Sequence, residues 1–295
     1  MIEARYLEIG GSTGFVEIHL PAAHGPAGAG LGTVLCIHTA GQSGVQWRHA
    51  ARALAARGYR VIVPDLPGHG RSEPAVGGPV TDLVTYGDWL VEVLEVLGVE
   101  RPYVLGCSIG GKLTLELACR PDTPLAGALA MAADAAPGAV NVNGLRRELE
   151  DVAGPSRAER TYLGTLASVG RSVPKETAHL IGLMHKREDP EISSSDLIGW
   201  GTHDVRHRLA DRTCPIHLVC GVDDPWIDVE RVRRRAAGLA SSGPAADRRA
   251  VTFTALPGIG HYPMEEIADF AGLAAGWIDE LRSTAADPEK TEVSA

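Results

Sequence analysis

The stretch Gly106-Cys107-Ser108-Ile109-Gly110-Gly111 decides how this chain folds. An apolar run, Tyr103–Cys107, leads into it, and a helix-like segment, Gly110–Cys119, leads out. The serine therefore stands on a turn from a buried strand into a helix, the context in which G-x-S-x-G has mechanical meaning. A side chain at Gly106 or Gly110 would collide across so tight a turn, and the serine itself must adopt a strained backbone conformation. That conformation lifts the hydroxyl above the carboxyl edge of the sheet. The helix amino terminus directs free N–H groups at the same point, which favours a developing negative charge.

Outward from this turn the chain alternates. Upstream lie two short strands, Arg5–Gly10 and Phe15–Leu20, read as a hairpin around Gly11-Ser12-Thr13-Gly14, then a small-residue loop, PAAHGPAGAGLG. Thr33–His38 and Tyr59–Val63 read as buried strands, with helices over Trp47–Arg57 and Thr81–Leu97 closed by Gly58 and Gly98. Downstream, Leu125–Ala132 is a further apolar run. From Asp134 to Leu209 the chain turns polar and helical, with no strand-like run. Alternation resumes with Pro215–Cys220, Val229–Leu239, Val251–Leu256 and a helix over Glu265–Leu281. The pattern predicts an α/β fold with a mainly parallel, doubly wound sheet. Residues 1–133 and 211–284 make its core, 134–210 a helical cap, and 285–295 a disordered tail.

Composition excludes several function classes. With 28 Lys+Arg against 37 Asp+Glu, the net charge is −9, wrong for a nucleic-acid binder. No run approaches a membrane span, and MIEARYLEIG lacks the pattern of a secretory signal. The five cysteines form no CxxC pair, which argues against disulfides and zinc and for a reducing cytoplasm. No fingerprint for a cofactor appears, so none is expected. The expected partner is a small molecule, not nucleic acid or membrane, and a homodimer stays open.

A serine hydroxyl needs a base and an orienting acid. In CGVDDP, Asp223 and Asp224 follow a buried strand, and in GIGHYP, His261 follows the next one. His203 and His207 have an i, i+4 spacing but no accompanying Glu, and read as a solvated helix face. The Arg231, Arg233, Arg234, Arg235 cluster reads the same way.

With these landmarks on the page, the chain resembles the α/β-hydrolase fold family. HTAG, PDLPGHGRS, GCSIGG, GVDD and GIGHYP match its pattern in order along nearly the whole chain. The resemblance implies Ser108 as nucleophile, His261 as general base and acid, and Asp224 as orienting carboxylate. Asp223 and Asp134 are the competing acids. It implies an oxyanion hole made by the backbone N–H groups of Ile109 and Ala40. Here the chain departs from the family's usual His-Gly, because Thr39 follows His38. A β-branched residue resists positive φ, so either the loop runs at another angle, helped by Gly41 and Gly44, or Thr39 offers its hydroxyl. His38 and His69 are expected to be structural. Among Leu183, Met184, His185, Ile198 and Trp200 in the cap, Met184 and Trp200 join Thr39 as candidate substrate-binding residues. Serine at the turn argues against haloalkane dehalogenases and epoxide hydrolases. The expected activity is hydrolysis of a small ester, thioester or lactone through an acyl-serine. Carbon–carbon hydrolysis of a diketone-like substrate is the same-fold alternative, and a ligand receptor retaining the three residues is another.

Overall fold

A computed structural model describes residues 1–21, 31–150, 157–241 and 250–286. Most of the small-residue loop and the tail beyond Ala286 lie outside the described residues. The chain opens with β1 (Ile2–Ile9) and β2 (Ser12–His19). Their turn is Gly10-Gly11, at φ 58° and 79°, not Gly11–Gly14 as the sequence suggested. Two successive positive-φ glycines make the two-residue hairpin turn whose twist suits the strands, and this draws Ser12–Gly14 into β2.

Then follow β3 (Thr33–Ile37), a 3-10 turn over Gly44–Trp47, α1 (Arg48–Ala56), β4 (Arg60–Asp65) and α2 (Leu83–Val96). Next come β5 (Tyr103–Cys107), α3 (Ile109–Ala118) and β6 (Gly127–Met131). Four helices intervene: α4 (Val142–Glu150), α5 (Arg157–Ser168), α6 (Lys175–His185) and α7 (Pro190–Thr202). The chain returns with β7 (Ile216–Gly221), α8 (Val229–Ser241), β8 (Val251–Leu256), α9 (Pro263–Glu266) and α10 (Phe270–Ala286).

The eight strands form one sheet in the order β1-β2-β4-β3-β5-β6-β7-β8. Only the pairs β1–β2 and β2–β4 are antiparallel; β4 to β8 run parallel. β5 and β6 are buried at every position, which is why their sequences are continuous apolar runs and not alternating ones. α1 and α10 pack together on one face; α2, α3 and α8 cover the other.

Two helix readings change. The single helix expected over Glu265–Leu281 is two, broken at Ile267. The Glu266 carboxylate bends back to accept from the backbone of Gly170, Gly260 and Tyr262, and Asp269 starts α10 by accepting from Gly272 N–H. Further back, α7 ends at Thr202, so His203 and His207 share no helical face. His203 is buried against Glu116, 3.1 Å away, whereas His207 is exposed. Among the described residues no cluster of His, Cys, Asp or Glu could hold a metal ion.

Candidate active site

Ser108 sits between β5 and α3 at φ 59°, ψ −116°, one of two non-glycine residues with positive φ among those described. Sterics impose this turn. A Cβ on Gly106 would lie 2.0 Å from the Gly110 carbonyl oxygen, and one on Gly110 would lie 2.4 Å from that of Ile37. The Ile109 N–H, first in α3, has no acceptor among the described residues.

The loops after β7 and β8 bring the second and third groups to the same sheet edge. Asp224 Oδ2 is 2.7 Å from His261 Nδ1, and both side chains are buried. The other carboxylate oxygen accepts from Trp226 N–H at 2.8 Å, so the acid is oriented from two sides. Because Nδ1 faces a carboxylate, it carries the proton, which leaves Nε2 as the basic nitrogen. His261 is itself held by its backbone: its N–H donates to Ser168 O at 2.8 Å, and the Glu266 carboxylate clasps the amides on both sides. Ser108 and His261 border one cavity of about 550 Å³. In the described structure no hydrogen bond joins them; such bonds are often formed only when substrate is present.

The competing acids are occupied elsewhere. Asp223 accepts three bonds from Arg171, at 2.8, 2.8 and 3.0 Å, and these hold its carboxyl down to about 2. Asp134 lies against Arg231 and Arg235, each at 2.7 Å. Burial opposes its ionisation, but the two guanidiniums outweigh that and lower its pKa. The arginine cluster is thus not simply solvated, because the i, i+4 pair Arg231 and Arg235 points inward at Asp134.

The loop after β3 answers the question posed by Thr39. Thr39 has no positive φ, and the left-handed residue of the loop is instead Gly41 at φ 65°. The Thr39 hydroxyl donates to Gln46 Oε1 at 3.1 Å, so its proton is committed within the protein and not offered to the cavity. Thr39 N–H donates to the same oxygen and Gly41 N–H to Asp196 Oδ2, while Ala40 N–H between them has no acceptor among the described residues. Ala40 and Thr39 both border the cavity.

The rings of His38 and His69 lie 4.7 Å apart at a tilt of 54°, and both are buried. His38 donates from Nδ1 to Thr39 O and accepts Leu66 N–H at Nε2, so it is neutral; burial and the neighbouring His69 lower its pKa. His69 meets Pro67 O through Nδ1 and Asp196 Oδ2 through Nε2. Burial works against its charge, but the Asp196 carboxylate prevails and its pKa is raised.

Of the cap candidates, Trp200 and His185 reach the cavity, whereas Met184 does not border it, Leu183 faces solvent and Ile198 is core. Met184 precedes His185 on α6, and only the face carrying His185 turns inward. What the sequence did not disclose is the polar part of the wall of the cavity that Ser108 borders. His185 Nε2 lies 2.7 Å from Glu265. Arg157 bridges Glu148 and Glu188 at 2.5 and 3.2 Å. Glu265 lies 80 positions from His185 and Glu188 31 from Arg157, and although Glu148 is only 9 from Arg157, nothing in the intervening sequence marks the pair.

The sequence model of the alpha/beta hydrolase fold family matches residues 32–169, which includes the Ser108 turn. Residues 32–169 belong to the α/β-hydrolase fold family, and the eight-stranded sheet has that family's fold. This hydrolase is 28% identical over 231 residues to a 2-hydroxy-6-oxononadienedioate/2-hydroxy-6-oxononatrienedioate hydrolase of Cupriavidus pinatubonensis, covering 73% of this chain and 78% of that one. Among solved structures it is similar to an esterase of Thermogutta terrifontis, with a TM-score of 0.77, 20% identity, and 95% and 99% of the two chains covered. An enol-lactonase of Burkholderia xenovorans superposes with a TM-score of 0.71 at 15% identity, covering 96% of the hydrolase and 100% of its neighbour. No helix among the described residues is long and apolar enough to cross a membrane.

Proposed function

We propose that the protein cleaves a small-molecule carboxylic ester, thioester or lactone through an acyl-Ser108 intermediate. The observation that carries this reading is the strained Ser108 turn facing the cavity that His261 also borders, with Asp224 2.7 Å behind the imidazole. Ser108 Oγ attacks the substrate carbonyl as His261 Nε2 takes its proton. The imidazolium is stabilised by Asp224, and the oxyanion accepts from Ile109 and Ala40 N–H. His261 then returns the proton to the leaving oxygen or sulfur. Water, deprotonated by the same nitrogen, releases the acid and restores the serine. No step requires a cofactor. In this reading residues 134–210 act as the cap that selects the substrate, and the five free, buried thiols suit a reducing cytoplasm.

A second reading is carbon–carbon hydrolysis of a diketone-like substrate. It is favoured by the Cupriavidus relative and by the polar wall of His185, Arg157, Glu148 and Glu188, which could hold an enolate and a distal polar group. A panel of p-nitrophenyl esters, thioesters, lactones and a vinylogous diketone separates the two by product. Under either, Ser108→Ala abolishes turnover and a fluorophosphonate labels Ser108 one to one. Binding of the ligands with no release of product would instead favour a receptor.

A further inference from the structure

Three consecutive amides in the loop after β3 have different fates. Thr39 N–H is held by Gln46 at 2.9 Å and Gly41 N–H by Asp196 at 2.8 Å, which leaves Ala40 N–H between two anchored neighbours. Gln46 belongs to the sheet framework; Asp196 comes from α7, in the helical insert, 155 positions after Gly41. The Asp196 side chain is fully buried. Its Oδ2 also accepts from His69 Nε2 at 2.8 Å, and its Oδ1 from Tyr86 OH at 2.9 Å. Since both ring nitrogens of His69 face oxygens that only accept, His69 is an imidazolium and balances the carboxylate. A buried charge pair is costly compared with apolar packing, so packing α7 does not by itself call for one. The direction of one loop peptide does.

We propose that Asp196 is a positioning residue that fixes the Ala40–Gly41 peptide, so that the insert holds one half of the oxyanion hole in place. This rests on the reading of Ala40 N–H as an oxyanion donor. The consequence is that transition-state stabilisation depends on the seating of α7, although α7 contributes no group to the reacting atoms.

The test compares Asp196→Asn, which keeps the shape but loses the charge that His69 requires, with Tyr86→Phe, which removes only the bond to Oδ1. On p-nitrophenyl butyrate, Asp196→Asn lowers kcat by about 10²-fold with KM changed less than about threefold, the pattern of an interaction made in the transition state. Affinity for n-butylboronic acid, which forms a tetrahedral adduct, falls in parallel. Tyr86→Phe retains most of kcat. Independently of turnover, the Gly41 amide exchanges with deuterium about tenfold faster in Asp196→Asn and at the wild-type rate in Tyr86→Phe. An unchanged Gly41 exchange rate overturns the proposal. So does retained kcat with a raised KM, which would make Asp196 a determinant of substrate binding. If fluorophosphonate fails to label the wild-type protein while Gly41 exchange responds as stated, the acyl-serine reading falls and the anchoring of the loop stands.

Discussion

Along α3 every residue from Ile109 to Ala118 is buried, and the Ser108 turn that starts it is held by contacts between backbone atoms. Along α7 the buried residues include Ser193, Ser194, Ser195 and Asp196 beside Ile192, Ile198 and Trp200, so apolar packing is joined there by polar ties to the framework. Two ties of this kind leave α3 itself. Lys112 Nζ donates to Ala136 O at 2.6 Å and His203 O at 3.2 Å, the carbonyls where the insert begins and ends. One turn later Glu116 receives the His203 ring at 3.1 Å and Arg208 at 3.0 Å. The Ser108 turn is thus placed by exclusion of space, which tolerates little, whereas the insert adds directed bonds, which can be made and broken singly. On the proposed reading, with chemistry on the first and recognition on the second, a substrate pocket can vary without moving the serine.

The strongest way to break this contrast is at the acid. Asp224→Asn lowers kcat by about 10³–10⁴-fold through loss of the correct imidazole tautomer. Asp223→Asn and Asp134→Asn leave kcat within about threefold, because their partners are Arg171 and the Arg231–Arg235 pair. Steady-state turnover on one ester ranks all three. Equal losses at Asp223 and Asp224 would mean that the loop after β7 acts as a unit.

That ranking shows what was legible beforehand. The Ser108 turn and the parallel sheet are written in short windows, where Gly spacing and apolar runs have few interpretations. The choice between adjacent aspartates came only from the family resemblance, because its physical reason, Arg171, is 52 positions away and tells nothing by itself. Arg231 and Arg235 could have been paired by their spacing, but their target, Asp134, lies 97 positions from Arg231 and 101 from Arg235. His203 was misread for a related reason: the i, i+4 spacing runs on past the helix end at Thr202, and the Glu116 that meets its ring lies 87 positions away. The Asp196 node has no local signature at all.

A smaller effect is expected where the insert rejoins the sheet. Burial works against ionisation of Glu116, but bonds from His203 and Arg208 hold its pKa down to about 2, against an ordinary 4.5. A lowered carboxyl pKa stabilises the native state fully above pH 4.5, and that contribution is lost as pH falls toward 2. Glu116→Gln therefore costs about 3 kcal/mol at pH 7 and flattens the acid limb of a urea-stability profile. An acid limb that keeps its slope would place the insert's anchor elsewhere.

Lys112 gives a slope of the same sign in an alkaline window. Burial lowers its pKa from 10.5 to about 8, with Asp134 and Asp204 opposing. Between those values the unfolded chain binds the proton and the native one does not, so this group makes stability rise with pH, by about 3 kcal/mol at most. Buried thiols and Tyr262, whose pKa values are raised, pull the other way, so the informative quantity is a difference between proteins. Lys112→Met should remove an upward slope between pH 8 and 10.5 that the wild-type protein contains. Identical slopes would mean that the ammonium is solvated and does not clasp the two ends of the insert.

The smallest effect sharpens the contrast within the insert itself. Trp200 borders the cavity, and its ring fills the space a Cβ on Gly138 would occupy, 2.0 Å from that position. Met184 is half-buried on α6 and does not border the cavity. If directed placement governs recognition, Met184→Ala changes kcat/KM by less than about twofold across an ester chain-length series. Trp200→Phe, which removes part of an indole against the cavity, shifts the preferred acyl length by a carbon or two, an effect of about 1 kcal/mol for each methylene accommodated. The two variants sit on helices of one insert, so any general loosening would affect both alike. Only a difference in length preference, not in overall rate, marks a side chain that measures the substrate.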